Sequence, residues 1–204
     1  MVKGKLFVLS GPSGTGKGTI CREVLSRNNG IRLSISMTTR TPREGEIHGE
    51  HYFFAEREEF ISLINEDGFI EYADVYGNFY GTPKKQVEEW LDRGQDVLLE
   101  IDVQGAIQVK KNYPDSILLF VLPPSIEVLR ERLTGRGTDA ADVIERRMAS
   151  ATSEIGLIGE YDYSIVNDVL AEAVESVEAI IKGEHMRLTR ETSEAIVRRY
   201  KQEV

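Results

Sequence analysis

Residues Gly11 to Thr19 read Gly-Pro-Ser-Gly-Thr-Gly-Lys-Gly-Thr and stand between an apolar run and a helical pattern, which few folds admit. Before them, Lys5 to Ser10 reads as a buried parallel strand, apolar without alternation. After them, Lys17 to Arg27 reads as a helix that stops at Asn28-Asn29-Gly30. In that setting the glycines let the backbone curl so that successive N–H groups converge on an anion. The helix N-terminus adds its partial positive charge, and Lys17 reaches between the β- and γ-phosphates of a nucleoside triphosphate. Gly11, Pro12, Ser13, Gly14, Thr15, Gly16, Lys17, Gly18 and Thr19 therefore form the expected triphosphate site. The loop departs from its usual form at Gly18, where a Ser or Thr normally offers a hydroxyl to Mg²⁺. Thr19, the phosphates and water are left to hold the metal.

The rest of the 204-residue chain extends this start. Asp96–Ile101, Ser116–Leu122 and Tyr163–Val166 read as further buried strands. Helical patterns at Gln104–Asn112, Ile126–Leu133 and Val143–Ile158 separate them. A C-terminal helical tract begins near Ala171, with a break expected at Gly183. Strands alternating with helices predict an α/β fold, a three-layer parallel sheet of the phosphate-loop class. Residues 34–94 differ: short aromatic runs and many Gly turns suggest a small mixed sheet with helices at Arg57–Asn65 and Pro83–Arg93. The expected division of the single domain is a core of 1–33, 95–124 and 158–204, an inserted subdomain of 34–94 and a helical segment of 125–157.

Net charge is −9, which argues against a nucleic-acid polymer as partner but leaves room for a small phosphorylated ligand bound by a local cation cluster. No apolar run reaches membrane-spanning length, the N-terminal apolar run is too short for a signal-peptide core, and the single Cys21 fits a reducing cytoplasm. His48, His51 and His185 lack metal-ligand spacing.

Three further groups carry chemistry. Arg40 and Arg43 lie three apart in the Thr- and Pro-rich loop SISMTTRTPR, suited to bidentate phosphate capture, although alone they equally fit a solvated loop. Glu100 and Asp102 end an apolar strand, where two acids are costly unless paired or used and where ligand crevices form in parallel sheets. Arg130, Arg132, Arg136, Arg146 and Arg147 fall within a stretch from Ser125 to Leu157 that has no lysine. Planar guanidinium groups of this kind suit the equatorial oxygens of a transferring phosphoryl group.

Taken in order, SGPSGTGKGT, SMTTRTPREGEIHGEHYFF (Ser36 to Phe54), FIEYADVYGNFYGTP (Phe69 to Pro83), LLEIDVQGA (Leu98 to Ala106) and RLTGRGTD (Arg132 to Asp139) resemble the guanylate kinases over essentially the whole chain. The resemblance implies a core, a GMP-binding subdomain at 34–94 and a lid at 125–157. It implies transfer of the γ-phosphoryl group of ATP to GMP, and to dGMP, with Mg²⁺ as cofactor, in the cytoplasm, with neither nucleic acid nor membrane as partner. Ser36, Arg40, Arg43, Tyr52 and Tyr80 would hold the GMP phosphate, and Glu71, Thr82 and Asp102 would read the guanine. The base chemistry agrees independently: a carboxylate matches the N1–H and N2 amino donors, and a hydroxyl matches O6. Thr82 stands where the family often has Ser. Arg132, Arg136 and Arg147 match the family's lid arginines and, with Lys17 and Arg43, form the expected catalytic set. Arg130 and Arg146 have no such match and suggest ordinary helix-face ion pairs with their acidic neighbours. Asn167 would lie near the adenine, and Glu100 would order water around the metal. Two rivals are weaker. Adenylate kinases share the Lys17-Gly18-Thr19 form but need no guanine-reading acids, and inactive scaffold modules of this family have lost the phosphate loop.

Overall fold

A computed structural model describes residues 3–75, 77–135 and 141–202. Five strands form the core sheet: β1 (Leu6–Ser10), β2 (Ile31–Leu33), β7 (Asp96–Glu100), β8 (Ile117–Leu122) and β9 (Tyr163–Val166), in the order β2-β7-β1-β8-β9. Every pairing in it is parallel. A second sheet, ordered β4-β3-β6-β5, holds β3 (Met37–Thr38), β4 (Phe53–Phe54), β5 (Phe69–Val75) and β6 (Asn78–Pro83). The helices are α1 (Lys17–Arg27), α2 (Arg57–Asn65), α3 (Lys84–Asp92), α4 (Val103–Asn112), α5 (Ile126–Thr134), α6 (Ala141–Ile155), α7 (Leu170–Met186) and α8 (Arg190–Gln202).

The unbroken apolar strands are explained by burial on both faces. Phe7 and Leu9 of β1 join Ile20, Val24, Val174 and Val177 in a core under α1 and α7. Leu6 and Val8, the alternate residues, join Val87, Leu91, Ala106 and Val109 in a second core under α3 and α4. Side chains alternate across a pleated strand, so a strand with helices on both sides must be apolar at every position. This is the three-layer α/β arrangement. Local caps set where the crossover helices begin: the Asp102 carboxylate accepts from the Gly105 N–H at the start of α4, and the Ser125 hydroxyl from the Val128 N–H at the start of α5.

Three features depart from the sequence reading. Strands β2, β3 and β4 are two or three residues long, too short to show any period. The predicted helix 143–158 starts earlier and ends at Ile155, followed by a short 3₁₀ turn at Ile158–Glu160. The C-terminal tract is not broken at Gly183. Helix α7 runs on to Met186 because its buried face, Ala173, Val174, Val177, Ile181 and Glu184, continues past that residue, and Glu184 accepts a hydrogen bond from the Tyr163 hydroxyl at 2.5 Å. Gly183 lies off this face, with no neighbour within 4 Å of where a Cβ would stand.

A glycine inside a helix with open space around it costs stability. Gly183→Ala should therefore stabilise the protein by about 0.5–1 kcal/mol in urea unfolding, whereas a glycine ending the helix in a left-handed conformation would lose stability on this change.

Candidate active site

Parallel strands carry their carboxyl ends to one edge of the sheet, and the residues expected at the triphosphate gather there. The loop leaves β1 at Ser10, between Glu100 at the end of β7 and Leu122 at the end of β8; Asn167 follows β9 next to β8. Gly11 has φ 139°, and a Cβ there would stand 2.4 Å from the Val121 carbonyl oxygen, so only glycine lets the loop leave the sheet at this point. Gly14 and Gly16 also take positive φ, and the Thr15 hydroxyl, fully buried, donates to the Pro12 carbonyl at 2.9 Å. The Lys17 ammonium donates to the carbonyls of Gly11 and Pro12 at 2.6 and 3.0 Å, arched back over the loop. Ser13 and Thr19 are exposed, and Thr19 accepts a long hydrogen bond from Arg22 at 3.4 Å.

Glu100 stands against Gly18: a Cβ on that glycine would lie 3.2 Å from a Glu100 carboxylate oxygen. The residue as a whole is exposed, yet the protein around its carboxylate desolvates it enough to raise its pKa, against the opposing pull of Lys17 and Arg22. The departure at position 18 thus removes a hydroxyl and admits a carboxylate beside the same loop. Among the described residues no cluster of three or more His, Cys, Asp or Glu could cage a metal ion by itself. Glu100 and Thr19, an oxygen pair next to a phosphate loop, are the hard donors that suit a divalent ion also held by phosphates and water. The histidines sit elsewhere: His48 and His51 accept backbone N–H bonds in the 47–54 loop, and His185 pairs with Asp96 at 2.6 Å.

The residues expected at the acceptor phosphate come together in part. Arg40 Nε donates to the Tyr80 hydroxyl at 3.2 Å, its guanidinium lies 5.5 Å from the Tyr52 ring centroid, and the Tyr52 and Tyr80 rings meet edge to face at 6.0 Å. Glu46, to which the sequence reading gave no role, completes the group. Its carboxylate takes two bonds from Arg40 Nη2, at 2.8 and 3.0 Å, and one from the Arg43 backbone N–H at 2.7 Å. The Arg43 residue is exposed, and Ser36 lies just before β3 with its carbonyl accepting from Phe53. No periodicity marks Glu46; its signals in the sequence are its place in the Ser36 to Phe54 motif and its position close after two arginines in a turn.

Tyr80 and Thr82 are two apart on β6 and share a face. Thr82 is buried and its hydroxyl donates to buried Glu71 on β5 at 2.7 Å. Burial pushes the Glu71 carboxyl up to about 7; the Thr82 hydrogen bond opposes this and the nearby Asp102 adds to it. The second Glu71 oxygen faces Gly105 in the first turn of α4, where a Cβ would stand 3.0 Å away, so the small sheet is docked on the core at this carboxylate. Asp102 is exposed and capping α4, a structural task the sequence did not disclose.

Of the arginines expected in a lid, Arg132 at the end of α5 reaches the core, donating to the Asn167 carbonyl at 2.9 Å. Arg147 is half-buried on α6, and Arg136 lies outside the described residues. Arg146 pairs with Asp142 along α6, as expected of a helix face. Arg130 instead pairs with Glu145 across the two helices, α5 to α6, because Leu129, Leu133, Met148 and Ala151 pack the helices together.

The profile of the guanylate kinase family matches residues 3–184. The chain belongs to the guanylate kinase family. It is 54% identical over 190 residues to the guanylate kinase of Clostridium tetani, covering 93% of this chain and 91% of that one. It is 55% identical over 187 residues to that of Carboxydothermus hydrogenoformans, covering 92% of each. Among solved structures, the guanylate kinase of Anaplasma phagocytophilum superposes with a TM-score of 0.74 at 36% identity, over 92% of this chain and 89% of that one. Within this guanylate kinase-family fold the buried acid has a measurable consequence. Glu71 ionises near its ordinary value of 4.5 in the unfolded chain and only near 7 in the fold. The unfolded state therefore loses its proton first as pH rises. The unliganded protein should lose about 3 kcal/mol of stability between pH 4.5 and 7.5 from this group. Glu71→Gln should flatten that fall in denaturant unfolding measured across the same window.

Proposed function

We propose that this chain transfers the γ-phosphoryl group of ATP to a phosphate oxygen of GMP, giving ADP and GDP. The observation that carries the reading is the pairing of two sites: a phosphate loop on the carboxyl edge of the parallel sheet, and a buried Glu71–Thr82 pair on the small sheet beside it. A bond forms between the GMP phosphate oxygen and the γ-phosphorus as the bond from that phosphorus to the ADP oxygen breaks. The acceptor is already ionised, so no protein nucleophile or general base is needed, and catalysis is positioning and charge neutralisation.

In this reading residues 11–19 cradle the donor phosphates, with Asn167 beside them, and Lys17 moves from the Gly11 and Pro12 carbonyls to the phosphates. Arg40, Arg43, Ser36, Tyr52 and Tyr80 hold the acceptor phosphate, with Glu46 keeping Arg40 in place. Glu71, with Asp102 nearby, takes the two guanine donors, and the Thr82 hydroxyl turns from Glu71 to donate to O6. Ionised Glu71 is the form that accepts both, so GMP binding draws the proton off a carboxyl that otherwise holds it to about pH 7. Arg132, Arg136 and Arg147 neutralise charge as 125–157 and 34–94 close over the core of 1–33, 95–124 and 158–204, which excludes water from the reacting phosphoryl group. Glu100 and Thr19 would hold Mg²⁺, with water between; when bound, the metal supplies charge neutralisation at the phosphates. The named residues address base and phosphate and leave the sugar unread, so dGMP is also a substrate. We place the reaction in the cytoplasm, with ATP and GMP as the bound partners; separately, no helix among the described residues is long and apolar enough to cross a membrane.

An ADP-coupled assay tests the whole reading. Turnover should depend on GMP and on Mg²⁺, with EDTA abolishing it, and equal rates with AMP or UMP would overturn the guanine assignment. Glu71→Gln keeps the shape and loses the charge, leaving one guanine donor poorly matched. It should lower kcat/KM for GMP about 10- to 100-fold while leaving KM for ATP nearly unchanged.

A further inference from the structure

Asn167 is one of the few polar residues buried in this fold, and all of its assigned hydrogen bonds are structural. Its backbone N–H donates to the Leu122 carbonyl at 2.8 Å, extending the β8–β9 pairing past the sheet edge. Its side-chain amide donates to the Thr15 carbonyl at 2.8 Å, a contact buried between residues 152 apart in sequence. Its own carbonyl accepts from Arg132 Nη2 at 2.9 Å. The neighbouring Gly16 makes room for it: with φ 90°, a Cβ on Gly16 would stand 2.3 Å from the Asn167 amide nitrogen.

These contacts bear on how the loop can bind phosphate at all. For the N–H groups of Gly14 and of residues 16–18 to point inward at an anion, the intervening carbonyls must point outward and find donors in the protein, while the Thr15 N–H is held by the Pro12 carbonyl at 3.4 Å. Thr15 O is such a carbonyl, and the Asn167 amide is its donor. The same residue receives the lid-helix arginine on its main chain, so the loop and Arg132 share one fixed point at the sheet edge.

We infer that Asn167 is a positioning residue: its amide holds the phosphate loop open from behind, and its carbonyl seats Arg132 beside it. The role rests on the phosphoryl-transfer reading for its purpose, but its physical content is triphosphate binding. It differs from a contact to adenine in the chemistry required at position 167. Anchoring Thr15 O needs a donor, whereas reading the adenine amino group needs an acceptor.

The test uses the full chain, with calorimetric binding of Mg²⁺-ATP, Mg²⁺-GTP, inorganic tripolyphosphate and, separately, GMP. Asn167→Ala should weaken ATP, GTP and tripolyphosphate by a common factor of about 10 to 100, with GMP affinity unchanged. Asn167→Asp, which keeps an acceptor but has no donor and sets a carboxylate against the Thr15 carbonyl, should be worse than Asn167→Ala. Loss confined to ATP, with tripolyphosphate unaffected and Asn167→Asp tolerated, would overturn the inference in favour of base reading. Unchanged binding of all three would overturn it outright. Retained GMP affinity reports that each variant is folded. Should Asn167→Ala fail that control, Asn167→Ser, which keeps a short donor, should show a smaller common loss, and a loss for ATP alone would again overturn the inference. Failure of wild-type protein to turn over GMP would count against the proposed reaction, and the tripolyphosphate comparison would still decide the role of Asn167.

Discussion

The site depends on the parallel alignment of five strands. Because β7, β1 and β8 run the same way, Glu100, the loop after Ser10 and the Leu122–Val166 edge all emerge on one side. A single antiparallel strand among them would send its terminal residue to the opposite edge. Burial enforces the alignment: strands apolar at every position need helices on both faces, and the crossovers that supply those helices also bring each strand back in the same direction. The carboxyl edge is then the one place where the backbone turns from strand to helix and leaves N–H groups unpaired for a ligand.

Charge is handled locally within a chain of net charge −9. Lys17 is satisfied by loop carbonyls, and Arg40 by Glu46, Tyr80 and the Thr41 carbonyl. Both cations are thus held at the loops whose phosphates they are proposed to meet. The acids are treated in the opposite way. Glu71 is buried with a hydroxyl as its hydrogen-bonded partner, which leaves its ionised form under-compensated and its pKa high. A ligand with two N–H donors would supply the missing compensation, so the cost of burying this carboxyl is also a preference for what binds it.

Gly18 and Glu100 show the same economy on the donor side. Loss of the hydroxyl that usually follows the loop lysine leaves space, and the carboxylate from the end of the adjacent strand fills it. Neither residue is informative alone. Eighty-two positions apart in the chain, they become one feature only because β7 lies beside β1.

Much of this was legible in the sequence. The loop, its flanking strand and helix, the buried strands at 96–101 and 116–122, and the family itself all followed from local pattern and ordered motifs, because apolar runs and glycine spacing record backbone requirements directly; the strand at Tyr163–Val166 is present but stands at the sheet edge with only Ile165 buried. The two- and three-residue strands were not legible, since no period fits in so few residues, and the end of α7 was misjudged because a glycine's local preference was outweighed by the buried face continuing to Glu184. Nor did the sequence disclose what Glu46 grips, that Arg130 crosses between helices, or that Asp102 caps α4. The sequence by itself determined which backbone forms and which functional groups this protein has. Tertiary structure decided which of those groups share a hydrogen bond, because partners such as Asn167 and Thr15 are separated by most of the chain and meet only when the sheet sets their strands side by side.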